Sequence, residues 1–249
     1  MERQEAAALQ PKTFYRQIAL SGVPIALGLF STIAQTVIFR EFLTVVEGNE
    51  FSTACFFAGW LFWVGIGATT PNRISWKGEN KVGPSLPVVC LFYIPILALQ
   101  FQLMHCARPL ARVETFELFP LGRMIVTTLA LTAPFSFTTG YLFVKTCRWA
   151  SERDRPLPVA YVYVLETLGA FIGGVSATLF LAYGNTSETL ILIGACLFAV
   201  LVGLTHMTDE RRSRHMQDMI LGLTALGLIG ATAAGTGTAW SSYNQGSLW

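Results

Sequence analysis

The chain has 249 residues, of which 53% are hydrophobic and only 13% are charged. Soluble domains carry about 25% charged residues, so this composition excludes an ordinary soluble domain and indicates a polytopic membrane protein. The formal net charge of +2 says little by itself, because the distribution of charge along the chain matters more. Nucleic acid is not an expected partner, whereas the lipid bilayer is.

Seven apolar stretches are each long enough to cross a bilayer, since about 20 helical residues span the hydrocarbon core. The stretches cover residues 18–39, 51–70, 86–106, 124–144, 157–183, 188–206 and 217–240. The sequence therefore predicts an all-α integral membrane protein, a bundle of about seven transmembrane helices. Its domain organisation is an N-terminal tail (1–17), a membrane domain (18–240) and a C-terminal tail (241–249).

Basic residues are unevenly divided between the two sides of this predicted bundle. Thirteen of the 17 Lys and Arg residues fall on the side of the N-terminus. The other four are Arg40, Arg108, Arg112 and Arg123. Because cytoplasmic loops are enriched in basic residues, the N-terminus is predicted to be cytoplasmic. An odd number of spans then places the C-terminal tail outside.

No pattern in the sequence predicts a metal ion, a haem or another cofactor. The five cysteines form no CxxC pair, and the three histidines show no zinc-binding spacing. No Ser/His/Asp arrangement, HExxH motif or pair of carboxylates at one depth is visible either. We therefore expect a protein that is not an enzyme.

The fifth predicted span carries one acidic residue near mid-depth, Glu166. A carboxylate at this depth is costly unless it faces other helices, water or a cation. Gly169 and Gly173 form a small-xxx-small step beside it, and Gly174 and Ala170 extend the small-residue surface, which allows close helix packing. Glu166 is therefore expected to point into the bundle, either as a cation or proton site or as a packing residue.

A second polar motif lies between the first two spans. Arg40 and Glu41 end the first span, and Asn49 and Glu50 open the second. Asn49 is a plausible helix cap, and Glu50 would complement the positive end of the helix dipole. Capping does not explain the charged Arg40–Glu41 pair beside an apolar helix, so these four residues form a candidate ligand or partner site.

Together these motifs resemble the membrane domain that precedes bacterial spermidine synthase-like domains. The residues that carry the resemblance are Gln35, Arg40-Glu41, Gly48-Asn49-Glu50, Trp60, Tyr163 to Ala170, and Gly173-Gly174. The resemblance covers about residues 15–240 and implies a multi-pass protein of the bacterial inner membrane in a polyamine-associated or transporter-like context. The family's aminopropyltransferase-like domain has no counterpart here, because no GxGxxG loop follows a strand pattern. Its activity is therefore not carried over.

Two functions remain open on the sequence. The first is a non-enzymatic integral membrane subunit of a larger assembly, which would pack against other membrane subunits through its glycine-rich faces. The alternative is a small carrier or channel for polyamines or other cations. In that alternative Glu166 binds the cation at mid-depth, Glu41 and Glu50 recruit it outside, and Arg40 gates by pairing with one of them. No inverted repeat is evident in the sequence.

Overall fold

A computed structural model describes residues 2–46, 48–73, 86–114, 117–151 and 157–207, and every regular element in these ranges is helical. The helices are α1 (Glu2–Val46), α2 (Glu50–Arg73), α3 (Leu86–His105), α4 (Ala107–Ala111), α5 (Leu121–Ser151), α6 (Val159–Ala182) and α7 (Ser187–Met207). Stretches in four of them are long and apolar enough to cross a membrane: Ser21–Val46, Glu50–Pro71, Leu121–Ser151 and Val159–Ala182. The predicted all-α class is thereby confirmed for the described residues, and the four apolar helices are consistent with a membrane protein.

The finer topology stays a prediction. The seventh predicted span, 217–240, and the C-terminal tail lie outside the described residues. The first six predicted spans each coincide with a described helix, although α1 continues past residue 39 to Val46. The short helix α4 was not predicted. It carries Arg108, whose Nε donates to the carbonyl of Val45 at 3.0 Å and so satisfies the exposed end of α1.

Helices α1 and α6 pack in parallel with their backbones in contact. A β-carbon on Gly28 would overlap the carbonyl of Glu166, and one on Gly169 would overlap the carbonyl of Ile25. Further along, Gly173 lies against Leu29. Residue numbers rise together along the two helices, so they run in the same direction.

Helices α2 and α5 form a second parallel pair of the same kind. A β-carbon on Gly67 would overlap the carbonyl of Phe137, and one on Gly140 would overlap the carbonyl of Val64. Nearer the start of α2, the indole Nε1 of Trp63 donates to the carbonyl of Leu129 on α5 at 2.8 Å. Small residues allow this close approach, which is the main source of helix association in lipid.

The other two large contacts are antiparallel. Along α3 and α5, Tyr93 bonds Thr139 and Gln100 bonds Leu131, so residue numbers rise on one helix as they fall on the other. Along α1 and α7, the ring of Phe30 stacks on Phe198. In the same seam, Ile33 contacts Gly194 and Val37 clusters with Leu190.

These pairings describe an inverted repeat. Exchanging α1, α2 and α3 for α5, α6 and α7 turns the α1–α6 contact into the α5–α2 contact and the α1–α7 contact into the α5–α3 contact. The exchange places Gly28 on Gly140 and Gly169 on Gly67. In both parallel helix pairs, each glycine lies against the residue three positions before the glycine of the other helix. Phe39 and Phe42, near the end of α1, lie beside Phe56, near the start of α2, so these two helices are antiparallel. Because α2 is parallel to α5, α1 and α5 point in opposite directions, and so do the exchanged units.

Four aromatic rings, one from each of α1, α3, α5 and α7, fill the centre of this arrangement. Tyr93 stacks on Phe135 with ring centroids 4.3 Å apart, and Phe30 stacks on Phe198 at 4.9 Å. The same exchange of helices turns the stack between α3 and α5 into the stack between α7 and α1. All four side chains are buried, so the axis between the repeats is packed with side chains.

We expect Gly28→Leu and Gly140→Leu to destabilise the fold by at least about 1–3 kcal/mol, the usual cost of overpacking, because the opposing atoms are backbone and cannot rotate away. Thermal unfolding in mild detergent measures the effect. Gly65→Leu is the matched control, since no atom lies within 4 Å of the β-carbon position at Gly65. Equal melting temperatures for all three variants would contradict the backbone contacts.

Candidate functional site

Glu166 lies in the second turn of α6, beside the face that this helix buries. The buried residues of that face are Val162, Leu165, Gly169, Gly173 and Ala177. Glu166 itself is half-buried. Its backbone carbonyl touches α1 at Gly28, so the close contact of α1 and α6 fixes the position of its side chain.

Helix α5 packs against α6 in the turn before Glu166. Val162 clusters with Cys147 of α5, and the ring centroid of Tyr163 lies 6.2 Å from that of Phe143. No hydrogen bond or ion pair from a described residue engages the carboxylate. Among the described residues, no partner neutralises the carboxylate.

The inverted repeat provides an internal comparison for this position. The residue of α2 that corresponds to Glu166 is Val64, and its carbonyl makes the same contact with Gly140 that the Glu166 carbonyl makes with Gly28. Valine therefore suffices where only the backbone contact is needed. The carboxylate of Glu166 is not explained by this packing, which favours a functional role for it.

Helix α5 carries a stripe of buried polar side chains that the sequence prediction did not identify. The residues of this polar stripe are Thr128, Thr132, Ser136, Thr138, Thr139 and Thr146. Its closest contact with α3 is the hydrogen bond between the Thr139 Oγ1 and the Tyr93 hydroxyl, 2.5 Å long. The four-residue spacing of Thr128, Thr132 and Ser136 was a visible signal, because it places hydroxyls on one helix face.

Gln100 of α3 inserts its amide into α5 at a proline. Its Nε2 donates to the carbonyl of Leu131, and its Oε1 accepts from the N–H of Phe135 at 3.3 Å. In a regular helix these two backbone groups would bond each other. Gln100, which is fully buried, therefore contacts both of these backbone groups next to Pro134.

We expect Gln100→Leu to lower stability by about 1–3 kcal/mol, because it leaves two buried backbone groups of α5 without their side-chain partner. Gln102→Leu is the matched control, since Gln102 is exposed on the same helix. Chemical or thermal unfolding in detergent compares the two. A loss that is equal in both variants would show that the bridge contributes nothing.

The outer motif is placed differently from Glu166. Asn49 caps α2: its Oδ1 accepts from the N–H of Ser52 at 2.8 Å, and its own N–H donates to the Ser52 Oγ at 2.9 Å. Arg40 and Glu50 are exposed and Glu41 is half-buried. In the described ranges no ion pair joins Arg40 to either glutamate.

The outer motif and Glu166 do not form one site. Arg40 follows Gly28 by twelve residues on α1, a separation of about 18 Å along the helix axis. Glu166 lies at the level of Gly28. Asn49 has the structural role of a cap, while the recruiting and gating roles of Glu41, Glu50 and Arg40 stay predictions.

A groove lies between the end of α5 and the start of α6. Its lining residues are Phe143, Val144, Cys147, Arg148, Ser151 and Val159. The guanidinium of Arg148 is held at this end of the bundle, where its Nη1 donates to the carbonyl of Pro71 on α2 at 3.2 Å. Cys147 lines this groove and also clusters with the buried Val162 of α6.

Comparison with family models, with curated proteins and with solved structures finds no match to this chain. The resemblance to the membrane domain of spermidine synthase-like proteins therefore stays a prediction. Within the described ranges, no three His, Cys, Asp or Glu residues gather in a way that could hold a metal ion. The candidate site is accordingly defined by Glu166 and by the packing of α1 and α5 against its part of α6.

Proposed function

We propose that this chain is a non-enzymatic carrier unit for a small cation, with Glu166 as its binding group. The observation that carries the proposal is the carboxylate itself, half-buried among apolar helices where the equivalent position of the inverted repeat is Val64. Ionisable groups inside membrane helices mark ion and proton pathways in many proteins. The proposed location is the bacterial inner membrane, with the N-terminus cytoplasmic.

The inverted repeat supports transport in a second way. Secondary transporters are often built from repeats of opposite orientation, with ion sites near mid-depth and at breaks in helices. Here Pro134 lies inside α5 beside Gln100 of α3, and α6 packs against α5 in the turn before Glu166. The two parallel pairs, α1–α6 and α2–α5, would act as rigid bodies because their backbones touch.

We expect Glu166→Gln to abolish cation flux in proteoliposomes while the protein stays folded, because the amide keeps the shape of the side chain and cannot carry its charge. Uptake of sodium, protons and spermidine would be measured against imposed gradients. Glu114→Gln, at an exposed position on the Arg108 side, is the control and should transport like the parent chain. Unchanged flux in the Glu166 variant would show that this residue has only a packing role.

A second candidate function is an accessory subunit of a larger membrane assembly. It is favoured by the aromatic rings that fill the axis between the repeats, since they leave no central passage among the described helices. A permeation route would then run along the outside of this unit, against another membrane protein. Polyamines or other cations would still be candidates for the transported species.

We expect a stoichiometric membrane partner to accompany the chain through affinity purification in mild detergent, if the accessory function holds. Mass spectrometry of the purified complex identifies the partner and its ratio to the chain. A chain that is monodisperse alone and is stabilised by a cation would favour the self-sufficient carrier instead.

A further inference from the structure

The groove between α5 and α6 has a counterpart between α1 and α2 in the other repeat. Corresponding positions are counted from the glycines of the two parallel helix pairs, which are Gly28, Gly140, Gly67 and Gly169. Ser151 follows the glycine of α5 by eleven residues, and Phe39 follows that of α1 by the same number. Val159 precedes the glycine of α6 by ten residues, as Phe57 precedes that of α2. The exchange of repeats therefore places Ser151 on Phe39 and Val159 on Phe57.

Aromatic rings close the boundary between α1 and α2, which we call the outer seam. The ring centroids of Phe39 and Phe57 are 5.1 Å apart, and that of Phe56 lies 5.0 Å from Phe39. At the corresponding positions of the other boundary, Ser151 and Val159 line the groove. A serine and a valine have too little volume to fill the space that two phenylalanine rings occupy. One boundary is therefore open while its counterpart is closed.

Both boundaries separate the same two groups of helices. The first group holds α1, α6 and α7, joined by the glycine contacts of α1 with α6 and by the stacking of Phe30 on Phe198. The second group holds α5, α2 and α3, joined in the corresponding way, with Tyr93 stacked on Phe135. Because α1 and α6 point in one direction and α2 and α5 in the other, the groove and the outer seam lie at opposite ends of the bundle.

Between these boundaries the two groups meet at aromatic rings. Phe30 of the first group is edge-on to Phe135 of the second, with ring centroids 6.3 Å apart, and to Tyr93 at 5.5 Å. Phe30 is two residues, about 3 Å along the helix axis, from Gly28, which touches the carbonyl of Glu166. The ring contacts and the proposed cation-binding residue are therefore at a similar depth, with one boundary on either side.

We propose that the two groups rock against each other about these central rings, so that the groove closes as the outer seam opens. The inference rests on the proposed carrier function and supplies its two entrances. One entrance is the groove, on the side predicted to be cytoplasmic, and the other is the outer seam. The structure is then the groove-open state. In the alternative state the repeats exchange roles: Ser151 and Val159 approach each other, and Phe39 and Phe57 separate.

The inverted repeat makes the two states similar in energy, because they use corresponding contacts in exchanged positions. The states differ in free energy where the repeats differ in sequence. The contact between Phe39 and Phe57 is one such difference, since it exists only while the outer seam is closed. The backbone contacts inside each parallel pair stay intact during the movement. The population of the alternative state therefore depends on side chains at the two boundaries.

The test places a cysteine reporter at the outer seam. Gln35 follows Gly28 by seven residues, as the groove residue Cys147 follows Gly140, so Gln35→Cys gives the outer seam the thiol that the groove already has. The full chain in lipid nanodiscs is treated with a polar maleimide, and peptide mass spectrometry separates the reporter from the five native cysteines. Because a thiol reacts as its thiolate, which forms in water, the labelling rate measures opening of the outer seam.

Val159→Phe gives the groove the side chain that closes the outer seam and should stabilise the groove-closed state. We expect it to raise the labelling rate of the reporter about tenfold, equivalent to a shift of about 1.4 kcal/mol between the states. Val159 is seven residues before Glu166, and the reporter is seven residues after Gly28. The two positions are therefore about 20 Å apart along the bundle, so the phenylalanine does not act on the reporter directly.

Val164→Phe is the matched control, because Val164 is 58% exposed and Val159 is 56% exposed on the same helix. It should leave the labelling rate of the reporter unchanged. Ser151→Phe fills the groove from its other wall and is the second variant if melting temperatures show that Val159→Phe does not fold. A labelling rate that neither groove variant raises, or that Val164→Phe raises equally, would overturn the rocking movement.

The rocking movement and the carrier function fail separately. Labelling at the outer seam that responds to Val159→Phe, in a chain that moves no cation, would support the movement and overturn the carrier function. Cation flux that depends on Glu166, together with labelling that neither groove variant changes, would support the carrier function and overturn the movement.

Discussion

The architecture depends on two places where helix backbones touch. In lipid, helices gain little from burying apolar side chains, because the acyl chains are equally apolar. Close approach of backbones therefore matters more, and only glycine permits it at Gly28, Gly169, Gly67 and Gly140. These four positions fix α1 to α6 and α2 to α5. The remaining helices α3 and α7 then pack against the pairs through antiparallel seams.

At Glu166 these contacts involve the backbone and not the side chain. Packing uses its carbonyl, and the related contact in the other half of the repeat is made by Val64. The packing therefore does not explain the carboxylate, which is a costly group on an apolar helix. A group that a protein retains without structural need, at an energetic cost, is a reasonable centre for a functional proposal.

Hydrogen bonds to backbone groups explain several of the other buried polar side chains, although the buried hydroxyls of Thr128 and Thr146 have no partner among the described residues. Unpaired backbone groups are expensive in a bilayer, so a proline in a spanning helix needs compensation from its neighbours. Gln100 provides it at Pro134, and threonine hydroxyls of α5 bond carbonyls one turn back, as Thr132 does to Thr128 at 2.9 Å. Arg108 has a comparable role at the end of α1. These polar side chains bond backbone groups, whereas the Glu166 carboxylate makes no such bond among the described residues.

The amino-acid sequence alone determined the helices, because apolar length, proline positions and caps are local properties. It predicted six of the described helices and the cap at Asn49, although α1 and α5 are longer than their predicted spans and α4 was not predicted. It also identified Glu166 and its neighbouring glycines as an unusual combination.

Only the tertiary structure decided which helices pair, since periodicity reports one face of a helix and not the partner that covers it. Gly28 and Gly169 are 141 residues apart in sequence, and nothing local links them. The inverted repeat was invisible for the same reason: its two halves share contacts between backbones, and backbone contacts constrain side-chain identity only at the glycines. The part played by Gln100 likewise depends on α3 lying beside Pro134, which the sequence does not encode locally.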